Sequence, residues 1–195
     1  MKLMIAIPVL DYIHFDFTRC LTGLTKRLAY DHVDFDVCFK CGTVCHHARD
    51  VLAREAVNNG YTHILWLDAD MIFNDDLFYR LLETGKDFVT GVYHTRHAPY
   101  GSCIFLNVDP PEPIVKYPDE LFKIAGCGFG CVLMKTEVAL KVYQKFEKMF
   151  HPKENVGEDI TFCQRAIECG YDVWCDPSIQ AGHIGHLTIW PDMKK

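Results

Sequence analysis

A short apolar run that ends in two aspartates constrains the fold of this chain more than any other segment. The run is His63-Ile64-Leu65-Trp66-Leu67, and Asp68-Ala69-Asp70 follows it directly. Such a run, closed by polar residues, predicts a strand that is buried inside a sheet. Residues two apart in an extended chain share a face, so both carboxylates can project from the carboxyl edge of that strand. Paired hard oxygen ligands predict a site for Mg²⁺ or Mn²⁺, ions that also bind substrate phosphates.

Strand-like and helix-like segments alternate along the chain. This alternation predicts an α/β fold, with a mixed, mostly parallel central sheet and helices on both of its faces. Ligands of such sheets bind outside the carboxyl ends of the strands, which is where Asp68 and Asp70 fall. The segment 100–124, interrupted by prolines, is predicted to be irregular or a hairpin. The predicted strands are 2–9, 33–39, 63–67, 87–93, 132–134 and 172–175, and the predicted helices are 18–30, 46–58, 77–83, 136–150 and 159–169.

Composition narrows the class of protein. The chain has 195 residues, of which 49% are hydrophobic, and this predicts a single domain over 1–195 with one well-filled core, either as an entire protein or as one domain of a longer one. A net charge of −6 with no long basic block argues against binding to nucleic acid or to an anionic membrane. No window reaches the ~18 apolar residues that a membrane span needs. Without an export signal, the ten cysteines are expected to be reduced thiols of a cytoplasmic protein.

Four of the thiol and imidazole side chains lie close together in the sequence. Cys38, Cys41, Cys45 and His47 have the short spacings from which a tetrahedral zinc site can be built. No second Cys-x2-Cys or His-x3-His pair completes the usual pattern. A zinc-binding module without enzymatic activity, built on these four residues, is nonetheless an alternative. A separate alternative for the two aspartates is that Asp70 caps a turn or a helix and that Asp68 is merely solvated.

A third metal ligand is predicted late in the chain. His183 is flanked by Gly182 and Gly185, which permit a close approach of the backbone, and His186 is the second choice. Imidazole is an acceptable ligand for Mn²⁺ and a poor one for Mg²⁺, so the prediction favours manganese. The alternative for His183 is a loop histidine that makes an ordinary hydrogen bond.

Charged residues at two helix starts are further candidates. Glu158 and Asp159 open a predicted helix, where acidic side chains can simply cap free N–H groups. They can also supply a general base, for which Asp159 is the first choice and Glu158 the second. Arg49 lies near the start of another helix and could reach a diphosphate, and Arg96 could contact a donor or an acceptor.

In combination these motifs resemble a known family. The order of motifs resembles that of glycosyltransferases of the GT-A fold, especially the compact ones encoded by large DNA viruses and bacteriophages. The resemblance covers nearly the whole chain. It is carried by Ile7-Pro8, Ala48-Arg49-Asp50, Leu65-Trp66-Leu67-Asp68-Ala69-Asp70-Met71, Gly91-Val92-Tyr93, Gly126-Cys127-Gly128-Phe129-Gly130-Cys131-Val132-Leu133-Met134, Gly157-Glu158-Asp159 with Phe162-Cys163, and Gly182-His183-Ile184-Gly185.

The resemblance implies a single Rossmann-like GT-A domain with a defined division of roles. Asp68, Ala69 and Asp70 would form the metal-binding motif for a nucleotide sugar. Asp70 would be the more direct ligand, with Asp68 shared with the ribose or a water. His183 would close the metal shell, and Asp159 would be the base of the acidic motif.

The donor contacts implied by the resemblance come from two further segments. Pro8 and its neighbour Val9 would line the nucleobase and ribose, and Gly128, within 126–130, would border the donor sugar and the acceptor. The second strand lacks the acidic signature that follows it in many bacterial relatives, which leaves the nucleobase contacts open.

The implied reaction is metal-dependent transfer from a nucleotide sugar, by default a UDP-sugar, to a hydroxyl of a glycan or glycoprotein, with inversion. It would take place in the cytoplasm, that of the host if the protein is viral. A nucleotidyltransferase that makes sugar nucleotides is a second alternative. Such an enzyme normally has a basic, glycine-rich loop after the first strand, and Leu10-Asp11-Tyr12-Ile13 does not resemble one.

Overall fold

The computed structural model describes residues 1–154 and 156–185, which contain five α-helices and twelve β-strands. The strands are β1 (Lys2–Val9), β2 (Asp34–Cys41), β3 (His63–Leu67), β4 (Met71–Ile72), β5 (Phe88–Val92), β6 (Ile104–Val108), β7 (Pro111–Pro113), β8 (Phe122–Ile124), β9 (Gly126–Cys127), β10 (Cys131–Lys135), β11 (Val173–Gln180) and β12 (Gly182–His183). The helices are α1 (Phe15–Tyr30), α2 (Cys45–Asn58), α3 (Leu77–Glu83), α4 (Thr136–Phe146) and α5 (Glu158–Glu168).

Seven of the described strands form one mixed sheet, in the order β2-β1-β3-β10-β5-β11-β8. Strands β1, β2 and β3 are parallel to each other, as are β5 and β11. Strand β10 lies antiparallel between β3 and β5, and β8 is antiparallel to β11 at the edge. All strands but β8 and β10 therefore run in one direction, and the predicted mixed, mostly parallel α/β sheet is confirmed.

Helices cover both faces of the sheet because its central strands are apolar on both faces. In β3, Leu65 and Leu67 pack with residues of α1 and α3, whereas Ile64 and Trp66 pack with residues of α2, α4 and α5. All four side chains are fully buried. Burying side chains of this size stabilises a fold by about 1.5–3 kcal/mol each, so β3 is held firmly in the centre.

Two helix boundaries differ from the prediction for local reasons. Helix α1 begins before the predicted Thr18 because His14 caps it, accepting a hydrogen bond on Nδ1 from the Asp16 N–H. Helix α4 ends before the predicted Phe150, since Glu147 takes a left-handed conformation with φ of 58°. This turn lets the Phe150 ring stack on that of Phe162, with centroids 4.3 Å apart.

The proline-interrupted segment forms a hairpin, as one of the two predicted outcomes. Strands β6 and β7 pair antiparallel, and β9 pairs with the other edge of β6.

All ten cysteines are free thiols. Within the described part of the chain, no helix has both the length and the apolar character needed to cross a membrane.

The topology gathers one edge of the sheet into a single region. The parallel strands β1, β3 and β5 end there, α2 and α5 begin there, and the antiparallel β10 starts there. Beyond this edge β12 pairs with β4, so that His183 lies opposite Met71. The Ile184 N–H also donates to the Asp70 carbonyl at 2.9 Å. This short pairing fixes the end of the described chain beside the two aspartates.

Candidate active site

A cavity of about 730 Å³ lies at this edge of the sheet. Ten of the residues predicted for the site line it, although they come from six separate segments of the chain, and the further candidate Arg96 lines it as well. Their meeting in one place follows from the parallel strands, whose carboxyl ends share an edge. The ten residues are Pro8, Val9, Arg49, Asp68, Ala69, Asp70, Gly128, Glu158, Asp159 and His183.

Arg49 is a buried cation that joins two carboxylates. Its side chain is 3% exposed, and it donates from Nη2 to Asp68 Oδ1 at 2.8 Å and from Nη1 to Glu158 Oε1 at 3.0 Å. Burial alone would lower the pKa of the guanidinium, but Asp68 foremost, with Cys45 and the acidic residues of α5, raises it. Arg49 is therefore charged, and both terminal nitrogens are engaged with carboxylates rather than facing a diphosphate.

Asp70 contacts two cationic or potentially cationic side chains. Its Oδ2 accepts a hydrogen bond from Arg96 Nη1 and lies 3.4 Å from His183 Nε2. Burial alone would raise the pKa of Asp70, but the hydrogen bond and charge of His183 and the charge of Arg96 bring it below its ordinary value. Asp70 is thus held ionised, as a metal ligand must be.

The other ring nitrogen of His183 fixes its orientation. Nδ1 lies 2.9 Å from the His94 carbonyl oxygen, and because a carbonyl only accepts, Nδ1 carries the proton. Nε2 therefore faces Asp70 and can coordinate a metal when the ring is neutral. His186, the second choice for this role, lies outside the described residues.

Asp159 lies at the start of α5 and faces the same cavity. Its Oδ1 accepts a hydrogen bond from the Ile160 N–H at 2.7 Å. Burial raises the pKa of the Asp159 carboxyl, and the nearby negative charges of Glu158 and Asp68 act in the same direction against Arg49. A carboxylate with a raised pKa is a stronger base than an exposed one.

Tyr93 is a buried site residue whose role the sequence did not indicate. It follows β5, and its hydroxyl oxygen accepts a hydrogen bond from the Gly130 N–H at 3.0 Å. Burial raises the pKa of this phenol well above its ordinary value, so it is neutral. Gly128 packs against it: a Cβ at Gly128 would lie 2.1 Å from the Tyr93 hydroxyl and 3.5 Å from Asp159 Oδ2.

Gly128→Ala is expected to lower the melting temperature by about 4–8 °C. Tyr93 is anchored by the Gly130 N–H, so it cannot move aside, and overpacking of this kind costs about 2 kcal/mol. Gly101→Ala is the control, because its Cβ would meet no atom within 4 Å. Thermal unfolding followed by circular dichroism measures both variants, and an unchanged midpoint for Gly128→Ala would contradict the packing.

Cys103 and Phe105 also line the cavity and come from the segment that was predicted to be irregular or a hairpin. Phe105 lies on β6 and Cys103 just before it. The apolar residues Ile104 and Val108 mark this strand in the sequence only weakly. No motif in the sequence indicated that these two side chains reach the site.

The side chains at this site are of the types that bind a divalent cation, but their positions do not form a coordination shell. In the described residues, no group of three or more His, Cys, Asp or Glu side chains is arranged to hold an ion. Asp68 Oδ1 faces Arg49, whereas Asp70 faces His183 and Arg96. Two carboxylates and one oriented imidazole nonetheless match the chemistry of Mn²⁺.

The thiol cluster gains no support as a zinc site. Cys38 and Cys41 lie on β2, Cys45 and His47 lie on α2, and all four belong to the described residues in which no such group was found. Cys45 instead lines the cavity beside Arg49, where burial raises the pKa of its thiol to about 12.

Solved structures resemble this chain, although no family model and no curated protein matches its sequence. A197 from STIV aligns over 94% of this chain and 86% of its own, with a TM-score of 0.58 and 16% identity. GalNAc-T7, solved with UDP, GalNAc and Mn²⁺, aligns over 96% of this chain with a TM-score of 0.59 and 9% identity. The chain has the GT-A fold.

The chain corresponds to 44% of the length of GalNAc-T7. A UDP-glucose pyrophosphorylase complexed with UDP-glucose aligns over 90% of this chain and 72% of its own, with 9% identity. Its TM-score is 0.47. The predicted resemblance to the GT-A fold is confirmed, and in this GT-A fold Asp68 and Asp70 follow directly on the central strand β3.

Proposed function

We propose that the chain is a metal-dependent glycosyltransferase. It moves a sugar from a nucleoside-diphosphate sugar, by default a UDP-sugar, to a hydroxyl of a glycan or glycoprotein. The observation that carries this proposal is one cavity of a GT-A fold in which Asp70 pairs with His183 while Asp159 faces the same space. The ten free thiols favour a reducing compartment such as the cytoplasm.

Asp70 and His183 would hold the cation, together with the Asp68 oxygen that Arg49 does not engage. When bound, Mn²⁺ or Mg²⁺ supplies Lewis acidity to the phosphoryl oxygens of the leaving nucleoside diphosphate. Arg96 is 42% exposed and lies against Asp70, so its guanidinium can bind the diphosphate from the cavity side. The cationic groups are thus concentrated where negative charge develops.

Asp159 would accept the proton of the attacking hydroxyl. Glu158, the other acidic candidate, is held by Arg49 at 3.0 Å, whereas Asp159 makes no ion pair among the described residues. Burial raises the pKa of Asp159, which strengthens it as a base. A base on the face opposite the leaving group gives inversion at the anomeric carbon.

The purified protein is expected to release the nucleoside diphosphate from one member of a panel of UDP-, GDP- and TDP-sugars. The rate with Mn²⁺ should exceed that with Mg²⁺, and a chelator should reduce it to background, because Asp70 and His183 suit Mn²⁺. Chromatography of the nucleotide products measures release, and proton NMR of the transferred sugar reports the anomeric configuration.

Each alternative predicts a different experimental result. Formation of a sugar nucleotide from a nucleoside triphosphate and a sugar phosphate would indicate the nucleotidyltransferase. Stoichiometric zinc in the purified protein, with no turnover of any donor, would indicate the zinc-binding module. A retained configuration at the anomeric carbon would overturn the role of Asp159 while keeping the transferase.

A further inference from the structure

A second cavity, of about 650 Å³, lies beside the first and shares Tyr93, Thr95 and His183 with it. Its walls are the end of β5, the loop at 117–119 and the last part of β11. The pairing of β11 with β5 shifts register between Cys175 and Gln180, and this bulge places 177–180 along one wall. Apart from the His94 carbonyl oxygen, which orients His183, the proposed transferase chemistry uses none of the residues that belong to the second cavity alone.

The charge of the second cavity differs from that of the first. None of the described residues that line it is Lys or Arg, whereas the first cavity contains Arg49 and Arg96. Among these described residues, the basic groups are the rings of His94 and His183, and His183 is engaged with Asp70. Arg80 reaches only the rim, where the carbonyl and hydroxyl oxygens of Ser178 already engage its Nη2, so the cavity offers little positive charge to a phosphate or another anion. Its polar side chains favour a neutral ligand that is rich in hydroxyl groups.

These polar side chains are of the types that bind hydroxyl groups. Asp119 can accept two hydrogen bonds from neighbouring hydroxyls, and the amide of Gln180 can both donate and accept. Ser178 is fixed at the rim, donating to Asp176 Oδ1 at 2.7 Å, while Arg80 holds its carbonyl oxygen at 2.7 Å. The exposed carboxylate also disfavours acidic ligands.

An aromatic platform is already ordered in this cavity. The rings of His94 and Tyr117 stack with centroids 6.4 Å apart and an angle of 27° between them. The Tyr117 hydroxyl donates to Ser102 Oγ at 2.6 Å, and Ser102 pairs with His94 through a β-bridge. Tyr100 adds a third aromatic ring that is 53% exposed. Flat apolar surfaces with a few polar groups around them match the faces and edges of sugar rings.

We propose that the second cavity binds a neutral oligosaccharide. As an acceptor subsite it would hold the sugar units next to the one whose hydroxyl reacts in the first cavity. This assignment of a role rests on the proposed function, but binding of the oligosaccharide itself needs no donor. The cavity would thus select the acceptor, independently of the groups that bind the nucleotide sugar.

The experiment is a binding screen of the full chain, without donor, against immobilised neutral and acidic oligosaccharides, followed by titration of the best ligand. Wild-type protein is expected to bind a neutral oligosaccharide, and Tyr100→Ala/Gln180→Ala is expected to bind it at least tenfold more weakly. Asp119→Asn, a milder change at an exposed position, should weaken binding several-fold. The matched control is Tyr30→Ala/Gln144→Ala, which removes an exposed tyrosine and an exposed glutamine outside both cavities.

Every outcome of the screen decides the proposal. Absence of neutral-oligosaccharide binding at millimolar concentration overturns it, as does a preference for acidic oligosaccharides. Equal weakening in the control pair also overturns it. Donor turnover without oligosaccharide binding would overturn this inference alone. Oligosaccharide binding that depends on Tyr100 and Gln180, without turnover of any nucleotide sugar, would overturn the proposed function and leave a carbohydrate-binding site.

Discussion

Replacing Asp70 with alanine is expected to lower the proposed transfer activity about a thousandfold. Asp70 is the carboxylate that contacts both His183 and Arg96, so the substitution removes the anionic ligand and loosens both cationic side chains. A Lewis acid stabilises the departing phosphate by several kcal/mol, and ~4 kcal/mol corresponds to a factor of a thousand in rate. The measurement is the initial rate of nucleoside diphosphate release at saturating donor and Mn²⁺.

Asp87→Ala is the control for the loss of a carboxylate in an ion pair. Asp87 pairs with Lys135 at 2.7 Å, both side chains are nearly half exposed, and the pair lies outside the cavity. Exposed pairs contribute at most about 1 kcal/mol to stability, so this variant should keep full activity. Activity of Asp70→Ala within tenfold of wild type would exclude Asp70 as a metal ligand.

Two further readouts separate the role of Asp70 from general damage. In the metal-free protein, burial lowers the pKa of His183 and the Asp70 hydrogen bond foremost raises it, so Asp70→Ala should lower this pKa in an NMR titration. The contrasting variant is Asp159→Asn, which is expected to lose transfer by a factor of about 10²–10⁴. The Asp159→Asn variant should still bind the donor with Mn²⁺, because Asp159 contacts neither His183 nor Arg96 among the described residues.

The central sheet could be predicted from the sequence because its strands are apolar on both faces. In β1 and β3 an uninterrupted apolar run leaves no alternative to burial between two layers of helices. The position of Asp68 and Asp70 at the ligand-binding edge follows from this, since they come directly after β3. The end of α4 could not be predicted from the sequence in the same way. It depends on the stacking of Phe150 with Phe162, a contact between residues that are distant in the sequence.

Contacts within the site were less accessible to sequence reasoning. His183 reaches Asp70 through β12, a strand of two residues that is too short to produce a pattern. Tyr93 closes on Gly128 because the two flank neighbouring strands, β5 and β10, which only the sheet order brings together. The roles of these side chains in catalysis stay predictions. Arg49 is the clearest example of contacts that the sequence could not predict, because its two partners lie 19 and 109 residues away in the chain.

Replacing Arg49 with methionine is expected to destabilise the fold by about 3 kcal/mol and to lower the melting temperature by about 6–12 °C. Methionine keeps much of the apolar volume beside Phe129, whose ring lies 5.3 Å from the guanidinium carbon. The substitution leaves Asp68 and Glu158 without the cation that pairs with them, and both side chains are only about one-quarter exposed. Removing one member of such a network leaves charge that is poorly solvated. Thermal and denaturant unfolding measure the change.

Comparison with Arg49→Lys and Arg54→Met separates the charge of Arg49 from its geometry. Lysine keeps the charge but lacks the planar fork whose two terminal nitrogens reach Asp68 and Glu158 separately, so it should recover part of the stability and less of the activity. Because Asp68 would lose its fixed orientation in both Arg49 variants, the Mn²⁺ concentration for half-maximal activity should rise about 10–100-fold. Arg54 lies on the same helix outside the cavity, and among the described residues it donates to the Glu147 carbonyl and lies 5.1 Å from the Tyr143 ring centroid. Arg54→Met should therefore leave the Mn²⁺ requirement unchanged and cost at most about 1 kcal/mol of stability. An unchanged Mn²⁺ requirement in a destabilised Arg49→Met would restrict Arg49 to a structural role, whereas both effects together would make it the residue that positions Asp68 for the cation.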